Sequence, residues 1–475
     1  MNSFLSRVVG LFAVGGFALA AEKSTTGWPQ FRGANGAGVA VDAHPPEKIG
    51  PRENVRWSVE VPFSPSSPCV WGERIFLTTF HDGELQTRCY GRGDGRLLWS
   101  RGIKPDGVEV FHRSDGSPAA STPATDGRRL VSYFGSFGLI CHDLEGRELW
   151  RHPLSLALSG GQYGTGTSPV IFGNRVVLNR DQAEFSSLLA VDLETGEKVW
   201  DTPRPDAGGS FGTPVIWDNN GVNEVVVAAT GRLKGYDLQT GAQRWFVNGM
   251  CWYVCTTPVI GDGLLYFAAW SNGTTESPVP TWEKFAAAYD KNGDGIVEFD
   301  EVPEAKRDYL RAFDVNRDGK YTKEDFAIMA SATARAENVI VAVKPGGRGD
   351  ITETHVGWKF RKGLPYVSSP LFYDGRIYLV KDGGILTSLD AKTGDPFYVQ
   401  ERLPANGNYY TSPVAADGRL YVASVPGKLT VLKPGGEKPE ILHQADFGER
   451  ILATPAIVGD SIYLRTETRL WAFEK

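Results

Sequence analysis

The chain has 475 residues, 41% hydrophobic and 22% charged, with a formal charge of −6, so wholesale disorder is excluded. It holds 56 Gly, 29 Pro, 13 Trp, 17 Tyr and 24 Phe against 3 Met, a turn-rich and aromatic mix that points to an all-β body. No basic run is present, which excludes a nucleic-acid binder, and five Cys do not make a disulfide framework.

The first expected element is a targeting segment, residues 1–21. Arg7 is its only charge, an apolar run spans Val8 to Leu19, and Ala18, Ala20 and Ala21 give the small-residue pattern that suits signal peptidase. The run is short for a bilayer span, so a cleaved secretory signal is the better reading than an uncleaved anchor. No other stretch approaches membrane length. The expectation is an exported protein, periplasmic or extracellular, with no transmembrane segment in the mature chain. Residues 22–50 are Gly- and Pro-rich and read as an irregular lead-in lying over the body.

From there one pattern recurs: a hydroxyl residue, Pro, then a short apolar strand. It occurs at Ser67, Thr122, Ser168, Thr213, Thr257, Ser369, Ser412 and Thr454, each followed by Pro. After each Pro the sequence predicts two strands joined by a Gly-Asp-type turn. A third strand then runs into a tight turn, clearest at Asp192 to Gly196, Asp237 to Gly241 and Asp390 to Gly394. A fourth strand opens with a large aromatic: Trp99, Trp150, Trp200, Trp245, Trp358 and Tyr398. Four short strands per repeat, eight times over, predict an eight-bladed β-propeller of four-stranded blades, spanning 51–270 and 338–475.

One gap, between Pro258 and Pro370, is too long by more than a repeat and interrupts the fifth blade. Residues 281–337 within it predict a small α-helical EF-hand pair. In the first loop Asp290, Asn292, Asp294, the Ile296 carbonyl, Glu298 and Glu301 stand at the spacing of calcium ligands, with Gly295 at the sharp turn. The second loop offers Asp314, Asn316, Asp318, the Lys320 carbonyl, Thr322 and Asp325. Asp325 is a methylene shorter than the usual Glu, which predicts a weaker or more magnesium-tolerant site. One helix, about 302–313, must serve both loops, and Val297 and Tyr321 sit where paired loops exchange a β contact. Calcium that only folds this module is as consistent with the pattern as calcium that signals.

The last repeat stops after a third strand, Leu470 to Phe473, whereas Val55 to Val59 resembles a fourth strand with nothing before it. Joining the two closes the ring.

The Asp-x-x-Thr-Gly-x-x-x-Trp repeats and this closure resemble the eight-bladed quinoprotein dehydrogenase-like propellers. That superfamily holds enzymes that use pyrroloquinoline quinone, and also the propeller lipoprotein of the outer-membrane β-barrel assembly machinery. The resemblance therefore implies either an oxidoreductase or a binding scaffold. The chain has no Cys-x-x-Cys-His haem motif, and Cys251 and Cys255 are separated by three residues rather than adjacent.

Cys251 and Cys255 could form a local disulfide or remain two thiols. Cys89 and Cys141 share a third-strand slot with Ala190, Gly235 and Ser388, so both read as inert packing, as does Cys69. Segments leading into the innermost strands carry His112, Arg113, Tyr163, Phe211, Trp252, Tyr253, Tyr366, Tyr409, Tyr410 and Arg450, which converge on a central funnel. They plug it or bind a protein or small ligand there. The leading expectation is an exported binding or scaffold protein carrying calcium. The alternatives are a pyrroloquinoline-quinone-dependent oxidoreductase and a cell-surface carbohydrate- or peptide-binding module.

Overall fold

The computed structural model describes residues 27–475 apart from 159–162, 183–184, 209, 252, 271–279, 305, 308–313, 315–317 and 334–335. The expected signal segment, Trp252, Asn316 and most of the expected 302–313 helix lie outside the described residues.

Eight antiparallel sheets form the ring. Blade 3 is typical, with strands Val170–Phe172, Arg175–Arg180, Ser187–Asp192 and Lys198–Pro203 in chain order from hub to rim. Blade 8 is built from both ends of the propeller. Ala456–Val458, Ser461–Arg465 and Arg469–Phe473 are completed by Val55–Glu60, which pairs antiparallel with Arg469–Phe473. No blade edge is left open at the join, as the repeat pattern implied.

The recurrent hydroxyl has a physical role. The Ser67 backbone N–H donates to Thr122 Oγ1, the Thr122 N–H to Ser168 Oγ, and so on through Thr213, Thr257, Ser369, Ser412 and Thr454. The Thr454 N–H returns to Ser67 Oγ. The bonds are 3.0–3.3 Å long and all eight residues are buried. Each hydroxyl satisfies a buried amide of the preceding blade, where Pro at the next position supplies no donor. Together they form a closed belt around the hub.

The rim repeats a second device. In each blade a register shift interrupts the pairing of the third and fourth strands. Such a bulge re-aims the next side chain, here the aromatic. Trp57, Trp99, Trp150, Trp200 and Trp358 donate their indole N–H to a turn carbonyl of the following blade, at 2.9–3.1 Å. The same rings cover the turn glycines. A Cβ on Gly196 would lie 2.6 Å from Trp150, and one on Gly394 2.5 Å from Trp358. Cys89, Cys141, Ala190, Gly235 and Ser388 stand opposite the aromatics across the ladder, which explains the small residue in that slot.

Blade 4 departs from this scheme. Trp245 is buried, covers Gly235 of its own blade and donates to Glu224. The third-to-fourth-strand loop of blade 5 reaches back instead, adding Gly349–Asp350 parallel to the outer strand Gln243–Asn248. Five strands therefore form this sheet, and blade 1 also has five.

The fifth strand of blade 1 corrects the reading of the lead-in. Residues 27–44 do not lie over the body; they enter the channel. Gly27–Trp28 pairs with Cys69–Trp71, and the Pro29 carbonyl accepts from the Thr125 N–H. Gln30 accepts from the Ile171 N–H, and Asn35 exchanges two hydrogen bonds with the Ile216 backbone. Arg32 donates to the Pro370 carbonyl at 2.7 Å, Gly38 and Ala40 bond Ala415, and the His44 N–H bonds Gly459. The segment thus ties together blades 1, 2, 3, 4, 6, 7 and 8. Arg32 is fully buried, and desolvation pulls its guanidinium down to about 9.

Between the second and third strands of blade 5, Leu264–Ala269 and Val339–Val343, the chain leaves the propeller and forms helices Trp282–Tyr289 and Lys323–Thr333. Thr281 caps the first of these.

Candidate functional site

Two places carry chemistry: the acidic loops of the insertion, and the funnel face to which the segments before the inner strands contribute.

The first acidic loop wraps around a carboxylate. Asp290 Oδ1 accepts from the Gly293 N–H at 2.7 Å and Oδ2 from the Gly295 N–H at 3.0 Å. Both glycines have positive φ, 75° and 79°, which the tight reversal demands. Asn292 accepts from the Asp294 N–H and Asp294 from the Ile296 N–H. Glu301 folds back over the loop, accepting from Lys291 and Glu298 at 2.9 Å each. The second loop repeats this in part: Asp314 accepts from Gly319, Asp318 from Lys320, and Asp325 from both the backbone and hydroxyl of Thr322. Val297–Glu298 and Lys320–Tyr321 pair as a short antiparallel ladder with Val297 opposite Tyr321.

A loop of acceptor oxygens held by its own backbone N–H groups suits a hard divalent cation. Among the described residues, however, no three His, Cys, Asp or Glu side chains come together as a metal-binding group. Phe299–Glu301, just before the expected shared helix, is a short 3₁₀ turn, and of that helix the described residues Glu304, Lys306 and Arg307 are helical. The module has its own core of Phe285, Val297, Val302, Tyr321 and Phe326, and Tyr253 from the segment entering blade 5 packs against it. The insertion therefore stands against the funnel face.

At the funnel, His112, Tyr163 and Phe211 form a run of ring contacts, with centroids 6.1 and 6.2 Å apart. Tyr366 packs edge-on against Trp270. Arg450 reaches across from blade 8 to Asp115 and the Ser114 carbonyl, while also pairing with Glu467. Arg113 is exposed. Tyr409 is a correction: it is buried in the blade core and its hydroxyl donates to the Ala405 carbonyl, so it does not line the funnel. Of the two alternatives left open for Cys251 and Cys255, the structure has two thiols: they are not bridged, and burial pushes the Cys255 thiol up to about 12. Cys69, Cys89 and Cys141 are buried thiols likewise raised by desolvation, in keeping with inert packing.

The sequence reading missed the strongest electrostatic feature, a buried ionic chain between blades 3 and 4. Arg204 donates bidentately to Asp181 at 2.7 and 2.8 Å, and also bonds the Tyr236 hydroxyl and the Ala228 carbonyl. Burial opposes the Arg204 charge, but Asp181 and the neighbouring acceptors more than offset it, so Arg204 titrates above its ordinary range. Asp206 accepts from Lys234 and Arg232. Beside this chain a small cavity is lined by Tyr133, Thr165, Thr167, Arg180, Ser210 and Phe211, with about 10 Å³ of free space, room for one water-sized group. Glu109 stands behind it, accepting from Thr165 Oγ1 at 2.9 Å, and burial raises its carboxyl to about 7. No local motif marks these charges, because they come from separate blades.

No helix among the described residues is long and apolar enough to cross a membrane. No curated protein matches the sequence. Among solved structures, BamB from Moraxella catarrhalis is similar at 12% identity with a TM-score of 0.56, covering 88% of this chain and 98% of its own. A europium-containing methanol dehydrogenase is similar at 10% identity and TM-score 0.57, covering 95% and 99%. A quinohemoprotein alcohol dehydrogenase from Comamonas testosteroni is similar at 11% identity and TM-score 0.54, covering 94% and 80%. At such identities these likenesses establish the propeller fold alone. A family model described as outer membrane protein assembly factor BamB matches residues 81–248 and 308–474, most of the chain, and the protein belongs to that PQQ-like propeller family.

Proposed function

We propose that this chain is an exported binding or scaffold propeller that engages a protein or small ligand at its funnel, with an EF-hand pair that holds calcium beside the funnel face. The observation that carries the reading is how little space the funnel wall leaves. The cavity beside Arg180 has about 10 Å³ free, and Phe211 in its lining belongs to a run of ring contacts with Tyr163 and His112. A planar tricyclic quinone does not fit that cavity, so pyrroloquinoline-quinone catalysis rests on fold likeness. The carbohydrate- or peptide-binding alternative draws on the exposed Tyr163 at the rim.

The domain organisation proposed is a signal at 1–21, a lead-in at 22–50, the propeller at 51–270 and 338–475, and the EF-hand pair at 281–337. In the first loop Asp290, Asn292, Asp294, the Ile296 carbonyl, Glu298 and Glu301 would hold calcium. In the second, Asp314, Asn316, Asp318, the Lys320 carbonyl, Thr322 and Asp325 would do so more weakly. Export is supported by Arg7, the apolar run and the small residues at 18–21.

One preparation tests both parts. Calorimetric titration of the mature protein should show a tighter and a weaker calcium event, and the tighter one should vanish in the Asp290→Ala/Glu301→Ala double variant. After incubation with pyrroloquinoline quinone and desalting, no quinone absorbance should stay with the protein. Stoichiometric retention together with alcohol-dependent dye reduction would establish the oxidoreductase instead.

A further inference from the structure

The funnel wall between blades 2, 3 and 4 leaves polar groups that the fold itself does not satisfy. Arg180 Nε and Ser210 Oγ are buried without a hydrogen-bond partner among the described residues, and both residues line the small cavity. Arg180 is otherwise held through Nη2 by the carbonyl and hydroxyl of Ser155, at 2.9 and 3.3 Å. Of the nearby carboxylates, Asp181 pairs with Arg204 and Asp206 with Lys234 and Arg232, while Glu109 lies close enough to feel the Arg180 charge but makes no hydrogen bond to it. A buried guanidinium N–H without an acceptor is costly, and so is a buried hydroxyl without a partner. Both deficits are met by one acceptor oxygen carrying negative charge, and the free space is about the size of one oxygen.

We propose that the cavity seats one oxygen of a carboxylate or phosphate group borne by the funnel ligand, with Arg180 Nε–H and Ser210 Oγ–H as its donors. The proposal rests on the reading that the funnel is the binding surface, and it names the class of ligand that surface takes. Glu109 does not oppose it near or below neutral pH. Its Oε1 is occupied by Thr165, and burial raises the carboxyl to about 7, which favours the uncharged form. A neutral sugar ring or an aromatic ring is too large for the cavity and leaves the Arg180 Nε–H without an acceptor.

The test is calorimetric titration of the mature protein at low salt with inorganic phosphate and, separately, with citrate as the carboxylate source. At least one should bind with a dissociation constant below ~10 mM, and the better of the two identifies the group. Arg180→Gln should weaken that binding about tenfold or more, and Ser210→Ala several-fold, since each removes a donor to a charged acceptor. Should Arg180→Gln fail to fold, Ser210→Ala decides, because it deletes one hydroxyl that makes no bond within the protein. Equal affinity in wild type and both variants would show general surface attraction and overturn the proposal. So would absence of binding by either anion up to ~50 mM. Binding of a neutral glycan or an uncharged peptide at the funnel, uncompeted by either anion, would overturn the anionic assignment and leave the funnel reading standing.

Discussion

The hydroxyl before each inner-strand proline was visible in the sequence as a repeat marker, and its place in the folded chain makes it a structural bond. Thr213 Oγ1 accepts the Ser168 N–H at 3.1 Å in a fully buried setting. Thr213→Ala leaves that amide unpaired and should cost about 1–3 kcal/mol. Thr213→Ser keeps the oxygen and loses only a methyl group, at about 0.8 kcal/mol. Urea unfolding of the two variants measures the difference. Glu109 is the other residue with a measurable signature. Its folded carboxyl titrates at about 7 against 4.5 for an ordinary one, because burial disfavours the charge. Below the lower value both folded and unfolded chains hold the proton. Between the two values only the folded chain holds it, so stability falls as pH rises, and above 7 the loss is complete. At roughly 1.4 kcal/mol per unit the loss is on the order of 3 kcal/mol. The Glu109→Gln protein should lack this component, seen as a flatter stability profile than wild type across that window.

Among the elements, five of the blades are joined to the next by an aromatic that each sends onto the following turn. Gly196 and Gly241 are needed there twice over, once for positive φ and once because a Trp ring lies where their Cβ would be. The insertion obeys a separate logic. Ala269 and Val339, on either side of it, are direct partners across the ladder. A variant that joins Trp270 to Asn338 through a short Gly turn therefore spans a distance already closed by the sheet, at small entropic cost. It should stay soluble and β-rich, unfold cooperatively and lose calcium binding. Loss of cooperative unfolding by circular dichroism would show instead that the Tyr253 contact makes the module integral to the propeller core.

For the whole molecule, closure is achieved twice. Val55–Glu60 completes blade 8 at the rim, and residues 27–44 close the channel at the hub. The hub segment bonds blades far apart in sequence, so it resists opening of the ring in a way that no blade-to-blade contact does. A variant beginning at residue 45 keeps the rim strand but exposes the inner strands that Trp28 and Arg32 cover. Burial of Trp28 alone is worth about 3 kcal/mol at most, and the lost hydrogen bonds add to it. The truncated protein should retain its far-ultraviolet spectrum and unfold at a clearly lower urea concentration. Unchanged stability would show that the segment is only a covering.

The blade count, the interrupted fifth blade and the closure by an N-terminal strand were all legible in the sequence, because each depends on signals within one repeat or on which strands a repeat lacks. The acidic loops were legible for the same reason, the spacing of their carboxylates and glycines being local. Only the tertiary structure decided which side chains meet across blades. It turned Tyr409 into a blade core, folded Trp245 back onto Gly235, and threaded Arg32 into the hub. It also brought Asp181, Arg204, Asp206 and Lys234 into one buried chain beside Arg180. A repeat sets what each blade contains, whereas the packing of one blade on the next sets which polar groups are buried and which lack a partner, and the candidate ligand site is made of those.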